Sequence, residues 1–169
     1  MKKNNWVILI TLSAFFISII FSVISNIILK DINVFLGSLL IIFFIVLGVL
    51  FDMVGIAVAS SDEKSFHSMA SRKIHGSKIS LRLINYSDRV SSFCNDVIGD
   101  ICNIISGSAG IIIATRISDK FDFNLTIIIL IMTGLIASLT IGGKAYGKFI
   151  AINNSEKIVL LFAKLIKRH

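Results

Sequence analysis

Two aspartates and two asparagines crowd one short stretch of an otherwise apolar segment, Asn95-Asp96-Val97-Ile98-Gly99-Asp100-Ile101-Cys102-Asn103. On an α-helix, Asp96, Asp100, Asn103, Gly107 and Gly110 fall four, three, four and three residues apart, and that spacing holds them on one face. The apolar run continues to Ala114, which is long enough to cross a bilayer. A carboxylate at membrane depth costs about 2.5–3.5 kcal/mol on insertion scales, so such groups mark ion pathways or binding sites. With Asn95, Asp52 and Ser92, the stretch offers a cation-binding set made only of oxygen donors: Asp96, Asp100, Asn103, Asn95, Asp52 and Ser92. Asp96, Asp100 and Asp52 are the expected metal ligands. Oxygen ligation suits magnesium, calcium or manganese over zinc or copper, and magnesium is commonly held by one or two carboxylates plus water. Three uses of these acids stay open at this point. They bind a cation, or they relay protons. Alternatively they are structural: Asp96 is then hydrated at an interface, Asp100 pairs with Arg116 or Arg89, and Asp52 caps a neighbouring hairpin.

The segments that must position these groups are long and greasy. Of 169 residues, 55% are hydrophobic and 16% charged, where a soluble domain carries about 25% charged residues. The apolar residues gather into four blocks, 6–29, 34–59, 97–115 and 123–141, each near or above the ~20 residues that span hydrocarbon. The expected fold is all-α: a polytopic membrane protein of about four transmembrane helices, forming one domain over 1–169. A cytoplasmic amphipathic hairpin is expected over 60–92 and a basic interfacial helix over 144–169. The first block follows Met1-Lys2-Lys3, a basic start like that of a signal peptide. Its apolar run is too long for one and no small-x-small cleavage site follows, so it reads as a retained span with Trp6 as an interfacial anchor.

The formal net charge is +7. Its distribution points away from nucleic acid. If the four blocks cross a membrane, 14 of the lysines and arginines fall on one side and 3 on the other. The positive-inside rule then places both termini and the central loop in the cytoplasm, against the anionic inner leaflet of a cell membrane.

Within the second block, Gly48, Asp52, Gly55 and Ala59 form another stripe of small residues around one carboxylate, a pattern that lets helix backbones approach closely. In the hairpin, Phe66, Met69, Ala70 and Ile74 recur at helical spacing, Gly76-Ser77 reads as a turn, and Ile79, Leu83 and Tyr86 recur again. Ser87-Asp88 is the expected cap of the third span, and Gly142-Gly143 the expected end of the fourth. In the tail, Ile158, Leu161, Phe162, Leu165 and Ile166 share one face, with Lys157, Lys164 and Arg168 on the other. Cys94 and Cys102 lie about 12 Å apart along a helix axis, too far for a disulfide. His67 and His75 lack a metal-binding spacing and read as solvated. Gly107-Ser108-Ala109-Gly110 has neither the strand before it nor the lysine after it that a phosphate loop needs. There is no Ser-His-Asp order and no zinc pattern, so an enzyme is not expected.

The order of these parts resembles the transmembrane module of the CorB and cyclin M (CNNM) magnesium transporter family, over about 39–167. The local match is Arg89-Val90-Ser91-Ser92-Phe93-Cys94-Asn95-Asp96-Val97-Ile98-Gly99-Asp100-Ile101. There the family has an arginine, a Ser/Thr-rich turn and a helix with asparagines one turn apart, and Asp96 and Asp100 stand where those amides fall. Phe51-Asp52-Met53-Val54-Gly55-Ile56-Ala57 looks like the family's Phe-Ser-Gly-x-Glu-Thr-Ala stretch. The family's glutamate falls at Gly55, with Asp52 about one turn earlier on the same face. The resemblance implies a homodimer that transports or binds magnesium, without an organic cofactor. The span at 6–29 is extra to the family pattern. The family pattern usually continues into paired nucleotide-sensing CBS domains where this sequence stops, and the expectation is that any nucleotide regulation comes from a separate chain or does not exist. Two other functions compete with transport. One is a small structural or regulatory membrane subunit with no transported substrate. The other is an electrostatic sensor of the membrane surface, resting on Lys164, Lys167 and Arg168.

Overall fold

The chain has no proline, so nothing in its long apolar runs removes a backbone donor, and hydrocarbon leaves helix as the conformation that satisfies every peptide group. The computed structural model follows that logic. It describes residues 3–31 and 33–167, without the side chains of 3–7, 26, 28–31 and 167. The anchoring role expected of Trp6, and the charges of Lys2, Lys3, Lys30, Lys167 and Arg168, lie outside the described residues. The elements are α1 (Lys3–Asp31), α2 (Val34–Ser60), α3 (Glu63–Ser71), α4 (Ser77–Asn85), α5 (Ser87–Ser92), a π-helical turn (Phe93–Gly99), α6 (Asp100–Phe121), α7 (Leu125–Asn153) and α8 (Ser155–Lys167). All are helical, and four stretches are long and apolar enough to span a membrane: Ile8–Ser25, Val34–Ser60, Ser87–Phe121 and Leu125–Asn153. The fold is the all-α, polytopic membrane architecture expected from the sequence.

The helix that becomes the third span begins at Ser87, where its cap was expected, with Tyr86 at the N-cap position and no side-chain cap bond. The fourth does not end at Gly142-Gly143 but runs on to Asn153. A helical glycine costs about 1 kcal/mol relative to alanine, whereas freeing several peptide groups in lipid costs several kcal/mol each, so the helix continues through the pair.

The chain packs as two units, Met1–Gly48 with Val97–Gly143, and Val49–Asp96 with Lys144–His169. The helices α2 and α7 contribute to both. In the first unit α6 is the buried helix. Ile101 and Ile105, with Val97 before them, receive Ile10, Ala14 and Ile17 of α1. Further along, Ala109 and Ile113 pack with Ile41 and Ile45 of α2 and Ile136 of α7. In lipid such contacts are held by close van der Waals fit rather than by expulsion of water. Glycine supplies the fit: a Cβ at Gly48 would stand 3.1 Å from Cys102 Cβ, and one at Gly110 would strike Ile136 Cδ1. Phe15, Phe16, Phe43, Leu130 and Ile141 point outward, a pattern that water would penalise and acyl chains accommodate.

In the second unit Ala57 and Val58 of α2, Phe66 of α3, Ile84 of α4, Ala151 of α7 and Val159 of α8 make one core, with Phe66 wholly enclosed. Asp62, not Asp52, caps α3, accepting a bond from the Lys64 amide at 3.0 Å. The end of α3 is a Schellman turn: Lys73 N donates to Ala70 O at 3.0 Å and Ile74 N to Met69 O at 3.1 Å. The turn residue is Lys73, at φ 55°. Gly76, at φ 94°, then starts α4. The buried positions of α8 are Val159 and Ala163, beside the expected face, while Leu161, Leu165 and Ile166 of that face point outward.

Candidate functional site

The π-helical turn Phe93–Gly99 carries Asn95 and Asp96, within the span Ser87–Phe121. Such wide turns, closed by i→i+5 bonds, interrupt α-helices mostly at functional positions. Here the turn is braced by side chains as well as backbone. Ser92 Oγ, one turn back, donates to Asp96 Oδ2 at 2.7 Å, a charge-assisted bond that fixes one carboxylate oxygen and leaves the other open. Asp96 is exposed on the surface of the single chain.

Asn95 turns the other way, onto α2. Its amide lies directly against the Cα of Gly55: a Cβ at position 55 would overlap Asn95 Oδ1 and stand 2.8 Å from Asn95 Cγ and 3.1 Å from the Ser91 carbonyl oxygen. Gly55 is therefore the seat of Asn95. Asn95 Oδ1 is buried and has no hydrogen-bond partner among the described residues. A buried acceptor without a partner costs about 1–3 kcal/mol, so this oxygen is a ready ligand for a cation or a water.

Asp52 lies on the same helix as Gly55 and in the same unit. Its Oδ1 is 3.8 Å from Nζ of Lys144 on α7, with the Asp52 side chain 13% and the Lys144 side chain 26% exposed. A tethered ammonium thus already stands beside this carboxylate. Sequence reasoning assigned Asp52 to a cation or to the hairpin cap and did not find Lys144, which comes from a distant segment. The retrievable signal was a lone lysine directly after the Gly142-Gly143 pair.

Asp100 and Asn103 belong to the first unit. Asp100 is exposed and forms no ion pair with Arg89 or Arg116 among the described residues. Asn103 is half-buried and lines a cleft of about 330 Å³ with Gly107, Thr133, Ala137 and Thr140. Thr140 Oγ1 is another buried oxygen with no hydrogen-bond partner among the described residues. The stripe expected on one face changes character along its length: Asp96 and Asp100 are exposed, Asn103 and Gly107 half-buried, Gly110 buried. The structure therefore joins Ser92 to Asp96 and Asn95 to Gly55, and gives Asp52 to Lys144. Among the described residues, no three His, Cys, Asp or Glu side chains gather into a group that could hold a metal ion. His67 meets Glu63 at 3.3 Å, His75 is exposed, and Cys94 and Cys102 are buried and not disulfide-bonded.

Comparison with known proteins gives one match. The family model described as CNNM, cyclin M transmembrane N-terminal domain, matches residues 39–168. No curated protein matches the chain, and no solved structure does.

Proposed function

We propose that this chain, which belongs to the cyclin M (CNNM) transmembrane N-terminal domain family, carries magnesium across a cell membrane. The family is a membrane family associated with divalent cation transport, and four helices here are long and apolar enough to cross a bilayer. The observation that carries the reading is the pair of adjacent oxygen donors on the π-helical turn. Asn95 Oδ1 is buried without a hydrogen-bond partner among the described residues, and the Asp96 carboxylate has one oxygen held by Ser92. Asp100, in the other unit, is a further carboxylate of the expected set. Magnesium keeps several of its waters and takes one or two carboxylates, so a sparse set of hard donors suits it better than a closed cage. In this reading the chain is a homodimer, and the ion meets carboxylates from both copies, which offsets the small number gathered by one. Both termini face the cytoplasm, where the basic residues of 60–92 and 144–169 meet anionic lipid. The reading involves no catalysis and no organic cofactor.

Magnesium uptake into proteoliposomes, followed with an enclosed magnesium-sensitive dye, tests it. Wild type takes up magnesium, while Asp96→Asn and Asp100→Asn each lose uptake by about tenfold or more and keep the wild-type melting temperature. Equal uptake by all three proteins would sink the transport reading. The Asp52–Lys144 pair favours a second reading, a structural or regulatory membrane subunit, because a carboxylate already paired with a lysine is a packing element. That subunit moves no ion in the same assay.

A further inference from the structure

The turn between α3 and α4 forms a concavity lined by three cationic side chains and no carboxylate. Its volume is about 490 Å³, and Lys73, His75, Lys78 and Arg82 line it together with Ile74 and the first turn of α4. Residues 64–87 hold five lysines and arginines and no acidic residue. None of Lys73, Lys78 and Arg82 pairs with a carboxylate among the described residues. A further lysine packs beside the hollow from a distant segment: the stem of Lys164 of α8 lies on Gly76, where an added Cβ would stand 3.3 Å from Lys164 Cγ. Two segments, the 73–82 turn and α8, thus bring lysine and arginine side chains to one place.

The backbone adds a separate observation. Lys73 holds the left-handed turn position that ends α3, at φ 55°. Glycine fills that position at no steric cost, and a lysine strains it. A cation is kept there against the local backbone preference. Ile74, beside it, exposes its side chain, so the rim is apolar as well as basic.

We propose that this hollow is a binding site for a phosphate monoester dianion, carried either by a lipid headgroup or by a free phosphate compound. Arg82 offers a planar two-pronged donor to phosphate oxygens, and the lysines act as point charges around it. The proposal is independent of ion transport, since none of these residues belongs to the cation-binding set.

The test uses the full chain purified in detergent, with dioleoyl phosphatidic acid, dioleoyl phosphatidylcholine and inorganic phosphate as probes. Lipid retention is read by native mass spectrometry, and phosphate binding by the shift in melting temperature. Wild type is expected to retain phosphatidic acid over phosphatidylcholine, and Lys78→Gln/Arg82→Gln to lose that retention by about tenfold or more. Arg116→Gln/Lys120→Gln removes equal charge toward the C-terminal end of α6 and is expected to stay within about twofold of wild type. Lys73→Gly is expected to raise the melting temperature and weaken binding together, opposite signs that a purely structural lysine does not produce. Phosphatidic acid retained without a phosphate-induced shift supports the lipid source, and a saturable phosphate shift without lipid preference supports the free compound. Absence of both, or equal loss in the two double variants, overturns the site.

Discussion

Replacing Gly55 by alanine tests whether Asn95 is seated as described. Two effects oppose each other. Alanine in a helix interior is favoured over glycine by about 0.8–1 kcal/mol. Against that, the new Cβ overlaps Asn95 Oδ1 and stands 2.8 Å from Asn95 Cγ and 3.1 Å from the Ser91 carbonyl oxygen. Overpacking at a tight contact costs about 1–3 kcal/mol, and because the Ser91 oxygen is backbone and the Asn95 overlap is deep, the upper part of that range applies, about 2–3 kcal/mol. The steric cost wins, leaving a net loss of about 1–2 kcal/mol. For a chain of this size that is a fall of roughly 2–8 °C in melting temperature, at about 2–4 °C per kcal/mol. Asn95→Ala removes both overlapped amide atoms, so Gly55→Ala/Asn95→Ala should melt above Gly55→Ala, with a coupling of about 1 kcal/mol or more. Thermal melts of the four proteins in one detergent, with and without magnesium, complete the cycle. If Gly55→Ala melts at or above wild type, or if the two losses simply add, the close seat does not exist. Loss of a magnesium-induced shift in every variant lacking the seated amide ties the geometry to the ion.

The Asp52–Lys144 pair at 3.8 Å has a gross attraction of about 4 kcal/mol at an effective dielectric near 20. After desolvation and partial exposure, a coupling on the order of 1–2 kcal/mol remains. A melting cycle with Asp52→Asn and Lys144→Met reads it, and additivity would rule the pair out as a stabilising contact. Phe66 is wholly enclosed, so Phe66→Ala should cost about 3–5 kcal/mol and open residues 60–92 to limited proteolysis; unchanged protection would contradict the packing of the second unit. A Cβ at Gly107 or Gly134 meets nothing within 4 Å, so alanine there should be neutral or stabilise by up to about 1 kcal/mol. A marked drop in melting temperature at either position would mean that something beyond the single chain packs on that face.

Periodicity and composition carried most of the fold. Four long apolar runs without proline have one solution in hydrocarbon, and the turn at Gly76 and the close approach along Gly48 and Gly55 followed from residue size alone. What stayed hidden were the features decided by the surroundings of a residue. Gly142-Gly143 reads as an end because glycine weakens a helix in water, yet α7 runs through it. The Asp52–Lys144 pair joins segments far apart in the chain, and local spacing holds no trace of it. The π-helical turn also has no sequence signature in an unbroken apolar run, and it stands beside the acids whose common face had been inferred from regular spacing. The resemblance read from residues 89–101 identified the same family as the match over 39–168, because it rested on residue types rather than on helix register.

The length of α7 sets where lipid gives way to water. Its 29 residues at 1.5 Å each make a rod of about 43 Å, against roughly 30 Å of acyl core. An overhang of about 13 Å remains if the rod stands upright, less if it leans. Lys144, Tyr146, Lys148 and Phe149 occupy that end, with Tyr146 70% and Phe149 67% exposed. With Lys144 turned to Asp52, the phenol of Tyr146 and the exposed ammonium of Lys148 suit an anchoring girdle at headgroup depth. The waterline therefore crosses α7 partway along its length, and the girdle opposes any vertical slip of the shaft.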